Sequence, residues 1–225
     1  MGKIKLKIFC DKNIRARTET WYEVSERGKA AFIGVACPTE DSISGQACEK
    51  VLSVASYSFM RRPSVEDIAM INIDDFLNQS VFSLQEPRQV SLCSTAFIYV
   101  MKGKARYSLT GMTGVFHFLD GELIETIKPI NDKLYGCSMR WDSDLQELID
   151  LSSGLHEFLI CSNKKELAIT EEEAKKIYKA NKQNQSEELQ VDSAMEVEGA
   201  ILFVSLPERK KAFCFLKGEN HETGR

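Results

Sequence analysis

Few side chains in this chain stand where residue type and spacing alone would license chemistry. Cys37 closes an apolar run from Ala30 to Ala36 and is followed by Pro38, Glu40 and Asp41. A cysteine nucleophile or redox sensor needs an electropositive, partly exposed setting, because the thiolate is the reactive form. Acids close behind it disfavour that form, so cysteine chemistry is a poor reading of Cys37. His117 lies inside an apolar strand pattern and His156 borders one. A structural histidine fits such places better than a general base. In Thr39-Glu40-Asp41-Ser42 two acids share a loop, where solvated turn residues or helix-capping groups are a simpler reading than metal ligands. Arg15 stands between Lys12 and Arg17. Its planar fork suits a phosphorylated side chain, and an ordinary surface arginine reads the same way. No glycine-rich phosphate loop, zinc spacing or Ser/His/Asp order is present.

Composition narrows the classes. A chain of 225 residues would bury roughly 70–75% of its unfolded surface as one large domain. Hydrophobic residues at 43% and charged residues at 28% are ordinary for a globular protein. The net charge of −4 argues against a dedicated nucleic-acid binder. The basic clusters Arg61-Arg62 and Arg209-Lys210-Lys211 read as solvated surface. Seven cysteines form no CxxC pair, and an odd count without a secretion signal fits a reducing cytosol better than a disulfide framework. No apolar run approaches the ~20 residues a membrane span needs. The expectation is a soluble, cytoplasmic chain.

The elements that must position these residues follow from periodicity. Residues 3–10 alternate polar and apolar, as a half-buried strand does. Thr20 to Val24 and Ala30 to Ala36 form a hairpin across Glu26-Arg27-Gly28, the second strand apolar enough to be central. Helical spacing then predicts a helix from Ser44 to Met60. A second opens at Pro63-Ser64, where Ser64 and Asp67 resemble a capping box. Strands follow at Leu92–Met101, Ala105–Thr110, Val115–Leu119 and Glu122–Ile127, with Lys102-Gly103-Lys104 and Asp120-Gly121 as turns. A helix at Ser143–Leu151, a strand at Glu157–Cys161 and a Thr170-capped helix to Ala180 come next. Residues 181–196 read as a mobile loop, Ala200–Leu206 as a buried strand, Ala212–Leu216 as the return of a final hairpin, and 217–225 as a frayed tail. Strands in mostly antiparallel runs with paired helices between them imply an α+β fold. Its expected form is a layered α-β-β-α sandwich of two sheets flanked by helices, in one domain spanning 1–225.

In order and local sequence the chain resembles the PPM family, the type 2C metal-dependent serine/threonine phosphatases, across nearly its whole length. The family's R-x-x-N-E-D pattern is matched by Arg15-Ala-Arg-Thr18-Glu19-Thr20, with Thr20 at the aspartate. Its V-A-D-G-x-G-G motif is matched by Val35-Ala36-Cys37-Pro38 and Ser44-Gly45-Gln46-Ala47, with Cys37 at the bridging aspartate. Ser94-Thr95-Ala96 matches the start of the central hairpin, and Gly111-Met112-Thr113-Gly114 stands at the G-D-S-R turn. The L-x-S-D-G-L motif falls on Ile160 to Lys165 with Asn163 at the aspartate. The closing D-N-x-T falls on Val197-Glu198-Gly199-Ala200.

The resemblance implies two stacked sheets and a dinuclear metal centre at one edge. The substitutions imply that this centre is degenerate at Thr20, Cys37, Asn163 and Val197. Mg²⁺ or Mn²⁺ needs several carboxylates, and cysteine is too soft a ligand to replace oxygen. The reading is therefore a pseudophosphatase without a cofactor that docks a protein partner, one that carries a phosphate if Arg15 meets it. The alternative is a divergent phosphatase with Mn or Mg held at a relocated site by Glu19, Glu40, Asp41 and Glu198. Neither nucleic acid nor membrane is an expected partner.

Overall fold

The structure is a computed structural model and describes residues 5–11, 16–25, 28–39, 45–85, 91–130, 133–139, 146–164, 169–184, 186, 188–192, 195 and 197–206. Arg15, Glu40, Asp41, the hairpin return at 212–216 and the tail at 217–225 lie outside the described residues, and Glu19 and Thr20 are described in their backbone only. Three strands open the chain: β1 (Lys5–Cys10), β2 (Arg17–Ser25) and β3 (Gly28–Pro38). Two helices follow, α1 (Gln46–Arg61) and α2 (Asp67–Phe82). Then come β4 (Cys93–Met101), β5 (Lys104–Thr110), β6 (Thr113–Leu119), β7 (Glu122–Ile127), the short β8 (Ile149–Asp150) and β9 (His156–Asn163). α3 (Glu171–Gln183) and β10 (Gly199–Ser205) complete the described elements.

The strands form two five-stranded sheets, β1-β10-β9-β6-β7 and β2-β3-β4-β5-β8, each antiparallel throughout. Strand alternation sorts side chains into three apolar layers. From β3, Phe32 and Ala36 join Phe97 and Tyr99 of β4 under Val51, Ala55 and Phe59 of α1 and Leu77 of α2. The intervening Ile33, Val35 and Cys37 face the other sheet, where they meet Phe158 and Ile160 of β9 and Ala200 and Leu202 of β10. On the far side of β9 and β10, Leu159, Cys161, Ile201 and Phe203 pack against Ala174, Ile177 and Tyr178 of α3. The expected α-β-β-α sandwich is the observed one. Its strands read as continuous apolar runs because both faces are covered.

The turns obey local rules. Lys102-Gly103 and Asp120-Gly121 take positive φ at both positions (52° and 80°; 52° and 97°), the conformation that matches strand twist in two-residue hairpins. Thr170 forms a full capping box with Glu173, its hydroxyl accepting from the Glu173 N–H at 3.3 Å while the Glu173 carboxylate accepts from the Thr170 N–H at 2.8 Å.

Three expectations are corrected. The helix expected at 143–151 is absent over its described part, where Ile149–Asp150 pairs with Lys104 and Ala105 and the Leu151 N–H donates to the Gly103 carbonyl at 2.7 Å. Ile149 and Leu151 turn inward two residues apart, so the local period is that of a strand. The N-cap position of the second helix is Glu66, without a side-chain capping bond, and Ser64, two residues earlier, accepts from the Glu66 N–H through its hydroxyl. The third helix runs on to Gln183, past the expected Ala180. Buried Asn181 ends it by donating to the Ile177 and Gln190 carbonyls while Lys7 takes the Asn181 and Asn184 carbonyls. A lysine at a helix C-terminus is favoured by the dipole there. Among the described residues no helix is long and apolar enough to cross a membrane.

Thr170→Ala removes the acceptor for the Glu173 N–H and is expected to cost about 1 kcal/mol. Urea unfolding checks this, with the midpoint falling and the slope unchanged.

Candidate functional site

The end of β3, the starts of β4 and β10, the end of β9 and the β5–β6 turn converge at one end of the layer between the sheets. Cys37 pairs with Ser94, Thr113 with Ser162, and Asn163 with Gly199. Alternation along β9 places Ser162 on the same face as Phe158 and Ile160, toward the other sheet. Its hydroxyl donates to the Ser94 carbonyl at 3.0 Å, joining β9 to β4. The Cys37 thiol reaches the Glu198 carbonyl at 3.9 Å, a weak donor contact that joins the same two sheets. The Ser94 hydroxyl accepts from the Met112 N–H at 3.0 Å, and the Met112 carbonyl accepts from the Asn163 N–H at 2.9 Å. Thr95 and Thr110 share a hydroxyl hydrogen bond of 2.9 Å. Cys37, Ser94, Thr95 and Ser162 are wholly buried.

Two glycines allow this close approach. A Cβ at Gly199 would stand 2.1 Å from the Ser162 carbonyl oxygen, so no other residue fits without moving the strands apart. Gly111 has φ +66°, and a Cβ there would meet the Ser94 hydroxyl at 2.6 Å. Thiols add to the neutral character. Cys93, beside Cys48 and near Cys37, is held well above the usual thiol range by its hydrogen bond with Cys48 and by burial. Cys161 is pushed up by burial alone. Thiols so placed stay protonated and are poor nucleophiles.

The residues expected at a metal centre are brought together only in part. Cys37, Asn163 and Glu198 reach this end, but Glu198 supplies its carbonyl while its side chain is exposed. Asn163 lies on the opposite face of β9 from Ser162, its amide oxygen beside Gly199. Val197 is buried in the layer against α3. Thr20 pairs with Ile33, four positions before Cys37, roughly 13 Å along the strand. The last rung of that ladder joins Arg17 to Ala36. Ala16, the next residue outward, is buried in the intersheet layer with Cys37. The β2 position at this end is therefore Ala16 rather than Thr20. Glu19 pairs with Gly34, also remote from Cys37. Arg17 is turned to Glu49 in the first turn of α1 at 3.3 Å, a half-exposed pair worth little.

Ser94 and Ser162 stand inside the matched motifs, which gave neither of them a role. The signal for Ser162 was its two-residue spacing from Ile160 and Phe158, which assigns its face. A pair of hard dications requires about six oxygen donors each and enough carboxylate to offset their charge. Among the described residues brought together here, the candidate donors are the Cys37 thiol, hydroxyls engaged with a carbonyl, an amide N–H or one another, and the Asn163 amide. They do not fit such ions. Among the described residues no group of three or more His, Cys, Asp or Glu side chains is placed to hold a metal.

No protein-family model matches the sequence, and a search of curated proteins finds no relative. Solved structures do match. The PPM Ser/Thr phosphatase MsPP from Mycobacterium smegmatis aligns over 91% of this chain and 98% of its own, with a TM-score of 0.65 and 15% identity. The catalytic domain of the serine/threonine phosphatase PstP in complex with two manganese ions aligns over 91% and 99%, at TM-score 0.68 and 11% identity. Stp1 from Staphylococcus aureus aligns over 93% and 96%, at 0.66 and 11%. The chain has the PPM phosphatase fold. Identities this low are a likeness of fold alone.

Cys37→Asp would place a carboxylate among wholly buried Ser94, Thr95 and Ser162 and is expected to cost at least ~3 kcal/mol at neutral pH. Cys37→Ala should cost about 1 kcal/mol. Thermal unfolding with and without millimolar Mn²⁺ checks both, and the ion should restore neither variant.

Proposed function

We propose that this chain is a pseudophosphatase, a PPM-fold domain without metal-dependent phosphoester hydrolysis that serves as a cytoplasmic protein-binding or regulatory module. The observation that carries this reading is the chemistry of the end where the two sheets meet. The Ser162 hydroxyl binds the Ser94 carbonyl and the Cys37 thiol reaches the Glu198 carbonyl across the sheets there, the Ser94 hydroxyl accepts from the Met112 N–H, and Ala16 and Ala200 fill the space beside them. A centre of the kind PstP holds, with two manganese ions, needs carboxylates that ionise near neutral pH and a cavity for bound water. Hydroxyls and thiols committed to carbonyls supply neither. A fold kept without its charge retains its surfaces, and a protein partner is the ligand class that uses surfaces. Arg15 is the proposed contact for a phosphorylated side chain on that partner, since a guanidinium binds phosphate through two parallel N–H donors.

The test is calorimetric titration with Mn²⁺ alongside turnover of p-nitrophenyl phosphate. The expected result is no saturable heat and a rate equal to the blank. Saturable binding with turnover would overturn the reading in favour of a relocated centre drawing on Glu19, Glu40, Asp41 and Glu198. For the phosphate contact, a phosphoserine peptide should raise the melting temperature of the native chain and not that of Arg15→Ala. Equal responses would remove Arg15 from that role.

A further inference from the structure

The intersheet layer carries a second polar cluster at the end away from Cys37, and its hydrogen bonds fix where the protons sit. His156 Nε2 lies 2.8 Å from the Ser153 carbonyl oxygen, which can only accept, so Nε2 is the protonated nitrogen. His156 Nδ1 must then accept, and the His117 Nε2 atom 2.9 Å away is its donor. His117 Nδ1 is left as a bare lone pair. It is buried without a hydrogen-bond partner and stands 4.0 Å from a carboxylate oxygen of Glu125, its partner across the β6–β7 ladder. A lone pair facing a carboxylate is a contact that lacks one proton.

We propose that His117 Nδ1 and the Glu125 carboxylate form a one-proton binding site, which fills as pH falls and draws the edge strand β7 against the sheet. Filling it turns the 4.0 Å approach into an N–H···O hydrogen bond and leaves the His117–His156 and His156–Ser153 bonds intact. A second proton is not accommodated: on His156 Nδ1 it would set two N–H donors face to face at 2.9 Å. The ladder carries a register shift between His117 and Phe118, where β7 has the slack to move. β7 is also an edge strand, bonded to β6 alone.

The charged groups around the pair are acidic. Glu125 and, beside it, Glu147 face this end from β7 and from the segment before β8, while Asp120 and Asp150 stand near His156. Tyr107 of β5, neutral and with its hydroxyl buried, sees the Glu125 charge and packs edge-on to Phe158, on which His117 is also stacked. No lysine or arginine is among these groups. Burial, and then His156, lower the His117 affinity to a pKa of about 4, while burial and Glu147 raise that of Glu125. The two affinities approach each other, so the proton belongs to the pair. The signs oppose. A lowered histidine loses stability as pH falls below ~6.5, while a raised carboxyl gains it over the acid range.

Histidine nitrogen NMR between pH 7.5 and 4 tests the site on the intact chain and on Glu125→Gln. The native protein should show one titration, at His117 Nδ1, with His156 keeping its Nε2 proton throughout. Amide exchange in residues 122–127 should slow as the proton binds. In Glu125→Gln the His117 midpoint should fall by one pH unit or more, the exchange change should vanish, and stability between pH 6.5 and 4 should drop more steeply than in the native chain. Independent titration of both histidines near pH 6.5, a His117 midpoint unmoved by Glu125→Gln, or acid unfolding of the native chain ahead of uptake would each overturn the proposal.

Discussion

The structure rests on the closure of two sheets at the Cys37 end, where the described side chains that bond across the gap are a hydroxyl and a thiol. Ser162 donates to the Ser94 carbonyl across the interface at 3.0 Å, and Gly199 lets β10 lie close enough to β9 for that geometry to hold. A cluster of carboxylates in the same volume would repel until cations arrived, so closure would be linked to metal binding. Here each group that crosses the gap is neutral and hydrogen-bonded to a carbonyl. A buried polar group is costly only when left unpaired. The sandwich therefore closes by its own bonds, with the buried apolar layer of Ile33, Val35, Ile160 and Leu202 behind them.

The outer layers depend on that closure in different ways. α1 lies on an aromatic bed, with Phe59 5.1 Å from Tyr99 between ring centroids and Phe32 5.5 Å from the same ring. Contacts of that kind are non-directional enough to tolerate small shifts. α2 is held by a polar anchor as well. Buried Asp74 accepts from Ser108 of β5 at 3.1 Å and from Tyr135 at 2.7 Å, while Asn78 fixes the Gly136 N–H and the Ser138 carbonyl. Such an anchor sets position more strictly than apolar packing does. It ties the 133–139 segment to the sheet that carries Cys37.

Much of this was legible before any coordinates, for a physical reason that differs by element. β3 and β4 announce themselves because both their faces are buried, so their apolar runs are unbroken. Asp120-Gly121 and Thr170-Glu173 announce themselves because a turn or a cap is a local event with local rules. Residues 149–151 misled because Leu145, Leu148 and Ile149 stand at helical spacing in the sequence. Their strand character comes from β5, which lies over forty residues away in sequence. Thr20 misled for a related reason. Matching a motif counts positions along one strand, whereas the ladder with β3 decides which residue stands beside Cys37, and it is Ala16. The roles of Ser94 and Ser162 were invisible because a serine announces nothing until its face and the carbonyl opposite are known.

The two ends of the intersheet layer thus answer to different variables. At the Cys37 end the described side chains that bond across the sheets are the Ser162 hydroxyl and the Cys37 thiol, each directed at a carbonyl. At the His117 end two imidazoles and a carboxylate sit in the same layer, separated from Cys37 by the apolar side chains of Val115, Phe158 and Ile160. Those side chains are close-packed and transmit displacement more readily than charge. A surface response to acid would therefore enter through β7 and travel along β6, whose first residue, Thr113, is the rung opposite Ser162. The end joined by Ser162 and Cys37 is in this way held by bonds from sheet to sheet, and the end with the two imidazoles borders an edge strand bonded on one side alone.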